Sequence, residues 1–293
     1  MSALRLQRGD ADVFVPDGSP LAEAMSRTTD LGIGAHADDL EFMCVVPIGE
    51  CAGLPDRWFS GVTCTDGAGS ARGGRFADMR DDELVGVRRD EQRRAAALGE
   101  FSAALQLAHA SRDVRSPDGF AVLVDELASV LEAAQPINVY THNLADKHAT
   151  HVAVAAATVH AVRRLPVDQR PSRFVGIEGW RDLDWLPDGE KLRFDATPYA
   201  ALADRLAAVY ESQMEGSKRY DVAARGRRQA NATLHAIRES DSAEEVIVAM
   251  DLTPLVRNDE LDPLVYVRSA VRRLEADVER TLGPFSPPPP ELA

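Results

Sequence analysis

Short apolar runs alternate along this chain with longer segments of helical period. Asp30–Ala35 is a compact apolar run broken by glycines, which suits a buried strand, and it leads straight into the polar cluster His36-Ala-Asp-Asp39. From Leu40 to about Gly53 apolar residues fall on most sides, as in a helix packed against a sheet. Trp58–Thr65 reads as a second strand, followed by the glycine-rich loop Asp66-Gly-Ala-Gly-Ser70-Ala-Arg72. Asp81–Leu98 has helical periodicity and stops at Gly99, a residue suited to a C-cap. The alternation then repeats, with strands at Ala103–Ala108 and Pro136–Tyr140 and helices at Gly119–Ala134 and Thr150–Arg163. Such spacings predict crossover units and an α/β fold: a Rossmann-like, mostly parallel sheet flanked by helices.

The ends are less regular. Residues 1–25 read as an irregular lead-in that finishes in a short helix. Arg173–Ile177 reads as one more strand, and helices are predicted over 198–213, 217–230 and 262–281. These later segments are expected to form a C-terminal extension that closes the pocket. No internal repeat or flexible linker marks a boundary, so residues 1–285 are read as one domain, with 286–293 a disordered, proline-rich tail.

Composition narrows the setting. The chain has 293 residues, 45% hydrophobic, enough for a sizeable core without covalent staples. Its net charge of −14 sets it against phosphate backbones, so nucleic acid is excluded as a partner. Cys44, Cys51 and Cys64 lack the paired spacing of a disulfide framework or a thiolate metal site and read as buried thiols in a reducing compartment. No signal-peptide core and no membrane-length apolar run occurs, so a soluble, cytoplasmic protein is expected. The Ala- and Arg-rich, Lys-poor composition points to a GC-rich bacterial genome.

In an open parallel sheet, ligands bind at the carboxyl ends of the strands, where the loops after Ala35, Thr65 and Tyr140 should meet. The first loop offers His36, Asp38 and Asp39, and imidazole and carboxylate are both good zinc ligands. A helix cap is the plainer role for the two aspartates. The third loop, His142-Asn-Leu-Ala-Asp146-Lys-His148-Ala-Thr-His151, holds three of the chain's seven histidines. His36, Asp39 and one of His148 or His151 could form a His₂Asp site, and spacing does not choose between the two. The glycine loop also echoes a dinucleotide fingerprint, but Arg72 stands at the third glycine position and no helix follows at once, so a dinucleotide-binding protein is the weaker alternative.

The pattern A-H-x-D-D-x-E at Ala35–Glu41, paired with D-x-H-x-x-H at Asp146, His148 and His151, resembles the PIG-L/LmbE-like N-acetylglucosaminyl deacetylases. R-x-x-E-x-x-x-A-A-x-L-G, from Arg88 and Glu91 to Gly99, fits the same order. The resemblance implies a zinc-dependent hydrolase that removes an acetyl group from an N-acetylated sugar or glycoside. It assigns His36, Asp39 and His151 to the metal, Asp38 to the general base and His148 to oxyanion stabilisation. The donor set would admit iron(II) as well as zinc. A protonated His148 would need a carboxylate beside it, for which Asp146 is the candidate. Asp66, Ser70, Arg72, Arg88, Asp146, Trp180 and Asp182 are the residues expected to meet substrate. The chain departs from the family in having Ala37 for a proline and Ala149-Thr150 for Pro-Asp, which removes a carboxylate beside His151. The resemblance also implies a homo-oligomer. The competing reading is a zinc amidohydrolase acting on a non-sugar amide; a silent sugar-binding relative would need neither Asp38 nor His148.

Overall fold

The structure, a computed structural model, describes residues 4–70, 72–215, 218–235 and 237–286. The tail read as disordered from 286 onward lies, beyond Ser286, outside the described residues.

The eight strands are β1 (Asp12–Phe14), β2 (Asp30–Gly34), β3 (Phe59–Thr65), β4 (Ala103–His109), β5 (Asn138–His142), β6 (Arg173–Ile177), β7 (Lys191–Asp195) and β8 (Val246–Asp251). They form one sheet in the order β1-β4-β3-β2-β5-β6-β8-β7. The central strands β4, β3, β2, β5 and β6 run parallel. β1, β8 and β7 pair antiparallel at the two sides.

The helices are α1 (Leu21–Ser26), α2 (Asp39–Met43), α3 (Val45–Cys51), α4 (Asp81–Leu98), α5 (Pro117–Ala134), α6 (Ala149–Arg164), α7 (Ala200–Val209), α8 (Glu211–Met214), α9 (Tyr220–Thr233), α10 (Thr253–Arg257) and α11 (Pro263–Leu282). Residues of α1, α5, α6 and α10, such as Met25, Leu127, Val154 and Leu255, share one buried cluster. Residues of α2, α3, α4 and α7, such as Leu40, Ile48, Ala95 and Leu206, share the other. The sheet is thus covered on both faces, which is why β2 and β3 carry no exposed residue. Cys44, Cys51 and Cys64 are free and buried within this packing. No helix among the described residues is long and apolar enough to cross a membrane.

Three expectations need correction. The helix expected from Leu40 to Gly53 is broken at Cys44 into α2 and α3. Pro47 is the cause: it cannot donate a bond to the carbonyl four residues back, at Met43, and its ring crowds that oxygen. The lead-in contains β1, which extends the sheet by pairing with β4. The C-terminal third supplies not only helices but also β7 and β8, so the extension is built into the sheet itself.

Close packing of α2 on the sheet depends on Gly61, because a Cβ there would lie 2.7 Å from the Leu40 side chain. This short helix is therefore pressed directly over the ends of β2 and β3. The chain leaves β2, builds β3 and β4 on one side, then crosses to β5 on the other. The crevice between the carboxyl ends of β2 and β5 is the topological switch point of the sheet.

Candidate active site

Both polar clusters read from the sequence open into that crevice. The turn after β2 carries His36, Asp38 and Asp39. Asp38 takes a left-handed backbone conformation, φ 90°, uncommon for a residue with a side chain, although Asp adopts it more readily than most. Asp39 folds back on the turn, its Oδ2 accepting the N–H groups of Ala35 at 3.0 Å and His36 at 2.6 Å. This fixes the carboxylate before any ligand arrives.

Around it the rings converge. His36 Nδ1 lies 3.3 Å from Asp39 Oδ2, and His151 Nε2 lies 3.5 Å from Asp39 Oδ1. His151 Nε2 and His36 Nδ1 are 3.2 Å apart. His148 completes one group of donors with His36 and His151, and His142 completes another with Asp39 and His151; within each group every donor atom lies within 4.8 Å of the others. The ring nitrogens and carboxylate oxygens are thus gathered about one small space, as a divalent cation requires. The far nitrogen of His151, Nδ1, faces Asp146 Oδ2 at 3.2 Å. A neutral ring with its proton on Nδ1 would satisfy that contact and leave the Nε2 lone pair directed inward.

Asp146 has more partners than this. Its carboxylate also accepts the backbone N–H groups of His148 at 3.1 Å, Trp180 at 3.0 Å and Arg181 at 3.2 Å. Burial alone would raise its pKa, but the His151 bond and charge hold it down at about 2. The carboxylate expected to serve the His148 ring is bonded to His151 instead. Burial, then the His151 and His36 charges, push His148 down to about 4, and its Nδ1 is buried without a partner.

Asp38 and Asp39 part company electrostatically. Burial, then the neighbouring Asp39 charge, raises Asp38 well above the usual carboxylate range, with Arg88 pulling the other way. Burial opposes ionisation of Asp39 too, yet the charges of His151 and His142 and the bonds from His142 and His36 hold it well below that range. Two adjacent carboxylates are thus driven apart, the pattern expected when one serves as ligand and the other handles protons.

His142, given no role from the sequence, proves central. Its ring stacks on His151 at 3.8 Å between centroids, and its Nε2 lies 3.3 Å from Asp39 Oδ2. It is fully buried, and burial with the His151 charge lowers its pKa to about 4. Its place at the last position of β5, next to the switch point, was the available signal.

The expected substrate-binding residues divide into two sets. Arg88 is buried, and its guanidinium donates to Gly67 O at 2.6 Å, to Ser70 Oγ and to Gln213 Oε1 at 3.0 Å. Gln213 in turn donates to Ala37 O at 3.2 Å, so Arg88 ties the glycine loop and α8 to the Asp38 turn. Arg72 bonds Met79 O and Ala68 O, each at 3.0 Å, and pairs with Asp81. Asp66 accepts from Ala68 N within its own loop, and Ser70 donates to Gly67 O. These four groups, like Asp146, are spent on shaping the rim. Trp180 is different: its ring stands 6.0 Å from His148 and 6.0 Å from Tyr220, with Lys218 Nζ 4.4 Å above it. Asp182 is exposed, and its backbone oxygen takes the Trp185 indole N–H.

Comparison with known proteins gives a match to one family model. The model of the family described as PIG-L, GlcNAc-PI de-N-acetylase, matches residues 31–162. That span, a little under half of the chain, is similar to the PIG-L family. The match takes in His36, Asp38, Asp39, His148 and His151, while Trp180 and the last third lie outside it. No curated protein matches in sequence.

Solved structures extend the likeness to most of the fold. A conserved protein from Thermus thermophilus, TT1542, has a TM-score of 0.59 at 17% identity, over 80% of this chain and 98% of that one. The 4-carboxy-2-hydroxymuconate hydratase GalB from Pseudomonas putida KT2440 gives 0.58 at 18%, over 77% and 95%. The N,N'-diacetylchitobiose deacetylase from Pyrococcus horikoshii gives 0.55 at 18%, over 76% and 84%. A hydratase and a deacetylase on one fold mean that chemistry must be argued from the site.

Proposed function

We propose that this protein is a metal-dependent hydrolase, with zinc as the first candidate and iron(II) the second, that cleaves the acetamide of an N-acetylated sugar or glycoside. The observation that carries the proposal is the convergence of His36, Asp39 and His151 on one space beside Asp38, a buried carboxylate in a left-handed turn. His36, Asp39 and His151 would hold the cation. It would polarise the acetyl carbonyl and make bound water more acidic.

The chain's own groups then account for the proton movements. Asp38 accepts a proton from water as the water oxygen bonds to the acetyl carbon. His148 faces the same space and donates a hydrogen bond to the carbonyl oxygen as negative charge develops there, a contribution of about 3 kcal/mol for one such donor in other enzymes. The carbon–nitrogen bond breaks when the Asp38 carboxyl returns its proton to the amine, leaving acetate and a free amino sugar. Asp146 takes no proton in this scheme; it orients His151 and fastens Trp180. The Trp180 and Tyr220 rings form a wall on which a sugar ring can stack. The three buried, unpaired thiols support a cytoplasmic setting.

The test is metal content together with acetate release from a panel of N-acetylglucosaminides and simple acetamides, for wild type and for Asp38→Asn. One metal equivalent, release from the glycosides, and loss of release in a variant that keeps its metal support the proposal. Release only from non-sugar amides would move the substrate to the amidohydrolase reading. A metal-loaded protein that releases acetate from nothing would end the deacetylase reading, and protein that takes up no metal would end both.

A further inference from the structure

Helix α11 turns one side to the body of the protein. Tyr266 Oη donates to Asp251 O at 2.6 Å, Ala270 is buried, and Arg273 reaches Glu190 at 2.7 Å. Beside that side runs a second apolar stripe: Leu264, Val267, Val271, Leu274 and Val278, continued past the helix end by Phe285. Steps of three and four residues alternate over this helix, which is the a and d spacing of a coiled-coil seam. Its a positions are open among the described residues, Leu264 64% exposed, Val271 47% and Val278 50%, while Val267 and Leu274 between them are half-buried at the edge of the body-facing side.

The charges on α11 say which partner fits. Arg268, Arg272 and Arg273 occupy its first half, and Glu275, Asp277 and Glu279 its second. The helix dipole favours the reverse order, as does pairing along one helix, where the acid is better placed before the base. Within its own chain Arg273 pairs with Glu190, and Asp277 with Arg280. Arg268 and Glu275, which flank the stripe, have no ion-pair partner among the described residues. The segregation becomes favourable when a second α11 runs antiparallel, because each basic half then lies beside an acidic half. Parallel pairing would set like against like.

We propose that α11 is a self-association element, pairing antiparallel with the α11 of a second copy of this chain about a two-fold axis between Val271 and Leu274. Each Val271 then packs against the other copy's Leu274. Arg268 of each copy meets Glu275 of the other, so the two-fold makes the ion pair twice. The interface runs along the edge of the body-facing side of α11, and none of its residues is one of the crevice residues.

Sedimentation velocity across a dilution series tests this, with far-UV circular dichroism to confirm that each variant is folded. The wild type sediments as a dimer, and Val271→Glu as a folded monomer. Arg268→Glu and Glu275→Arg each weaken the dimer by about tenfold, because each sets two like pairs in place of two opposite ones. The double exchange R268E/E275R restores the dimer. A wild type that stays monomeric at every concentration, whether or not it binds another protein or anionic vesicles, overturns the proposal. So does a dimer that survives Val271→Glu, or a double exchange that fails to restore what the single changes lost.

Discussion

The imidazole of His151 and the carboxylate of Asp146 meet at 3.2 Å, and the same carboxylate holds the backbone of Trp180 at 3.0 Å. One side chain thereby couples the orientation of a candidate metal ligand to the position of the aromatic wall. It also answers the loss implied by Thr150, where the family more often has a carboxylate just before the second histidine. The partner for His151 comes from five residues upstream, across the turn that leads into α6, rather than from its immediate neighbour.

Asp146→Asn therefore lowers metal affinity by about 10- to 100-fold, the usual cost of removing a carboxylate behind a histidine ligand. With its oxygen in the place of Oδ2 the amide keeps the Trp180 N–H bond but meets His151 without a charge, and its nitrogen then faces the His148 and Arg181 N–H groups. Competition with a chromophoric chelator measures the affinity. Unchanged affinity in Asp146→Asn would show that His151 does not depend on this partner.

Asp38→Asn separates proton transfer from metal binding. Asparagine tolerates the left-handed backbone that Asp38 adopts better than alanine does, so the turn is preserved. Metal content remains that of the wild type, because Asp38 belongs to neither donor group around the crevice. Acetate release falls by about 10²- to 10⁴-fold, the range for loss of a general base. A variant that loses metal and activity together would make Asp38 a ligand or a structural support instead.

The parts of this arrangement that could be read in advance are those set by local pattern. β2, β3, β4, β5 and β6 are apolar runs between helical segments, and β2 and the β5 region lead straight into polar loops, so the crossover fold and its edge were visible. β7 and β8 carried signals as well: Lys191, Arg193 and Asp195 alternate with Leu192 and Phe194, and Val246–Met250 is continuously apolar. What no pattern showed is that they close the parallel sheet antiparallel, a matter of long-range pairing. The site divides the same way. His36, Asp39, His148 and His151 stand out by residue type and spacing, whereas His142 belongs to the same polar run but gains a role only when β5 is laid against β2. Arg88 and Arg72 were legible as polar groups near the site, but not their bonds to the carbonyls of Gly67 and Ala68 in the glycine loop, which depend on the tertiary fold.

Gly179 sits where the crevice wall passes closest to the Asp146–His151 pair. A Cβ at this position would lie 2.5 Å from Asp146 Oδ2 and 3.4 Å from His151 Nδ1. Gly179→Ala must displace the carboxylate, and the bonds to His151 and Trp180 shift with it. Metal affinity should fall at least as far as in Asp146→Asn, while stability of the metal-free protein drops by only about 1 kcal/mol. Isothermal titration and thermal melting of the metal-free variant measure the two separately. Normal metal binding in Gly179→Ala would mean that the wall can yield without moving Asp146.

Glu178, next in the chain, gives a pH-dependent prediction away from the donor atoms. Its Oε1 accepts from Val248 N at 3.1 Å and from the Asn231 amide, while Oε2 is buried without a partner. Burial raises this carboxyl from 4.5 to about 7. Below about pH 4.5 both folded and unfolded chains carry the proton, and burial of the group has no electrostatic cost. Between pH 4.5 and 7 the unfolded chain releases the proton and the folded chain keeps it, so stability falls as pH rises; above 7 the cost is fully present. Glu178→Gln removes the charge and keeps an oxygen for both donors. Its stability relative to wild type should therefore rise between pH 4 and pH 8, by on the order of 3 kcal/mol. Urea denaturation of the two proteins at both pH values reads this directly. A difference that does not change with pH would mean that Glu178 is ionised in the folded protein, with Arg227 and Asn231 sufficient to hold the charge.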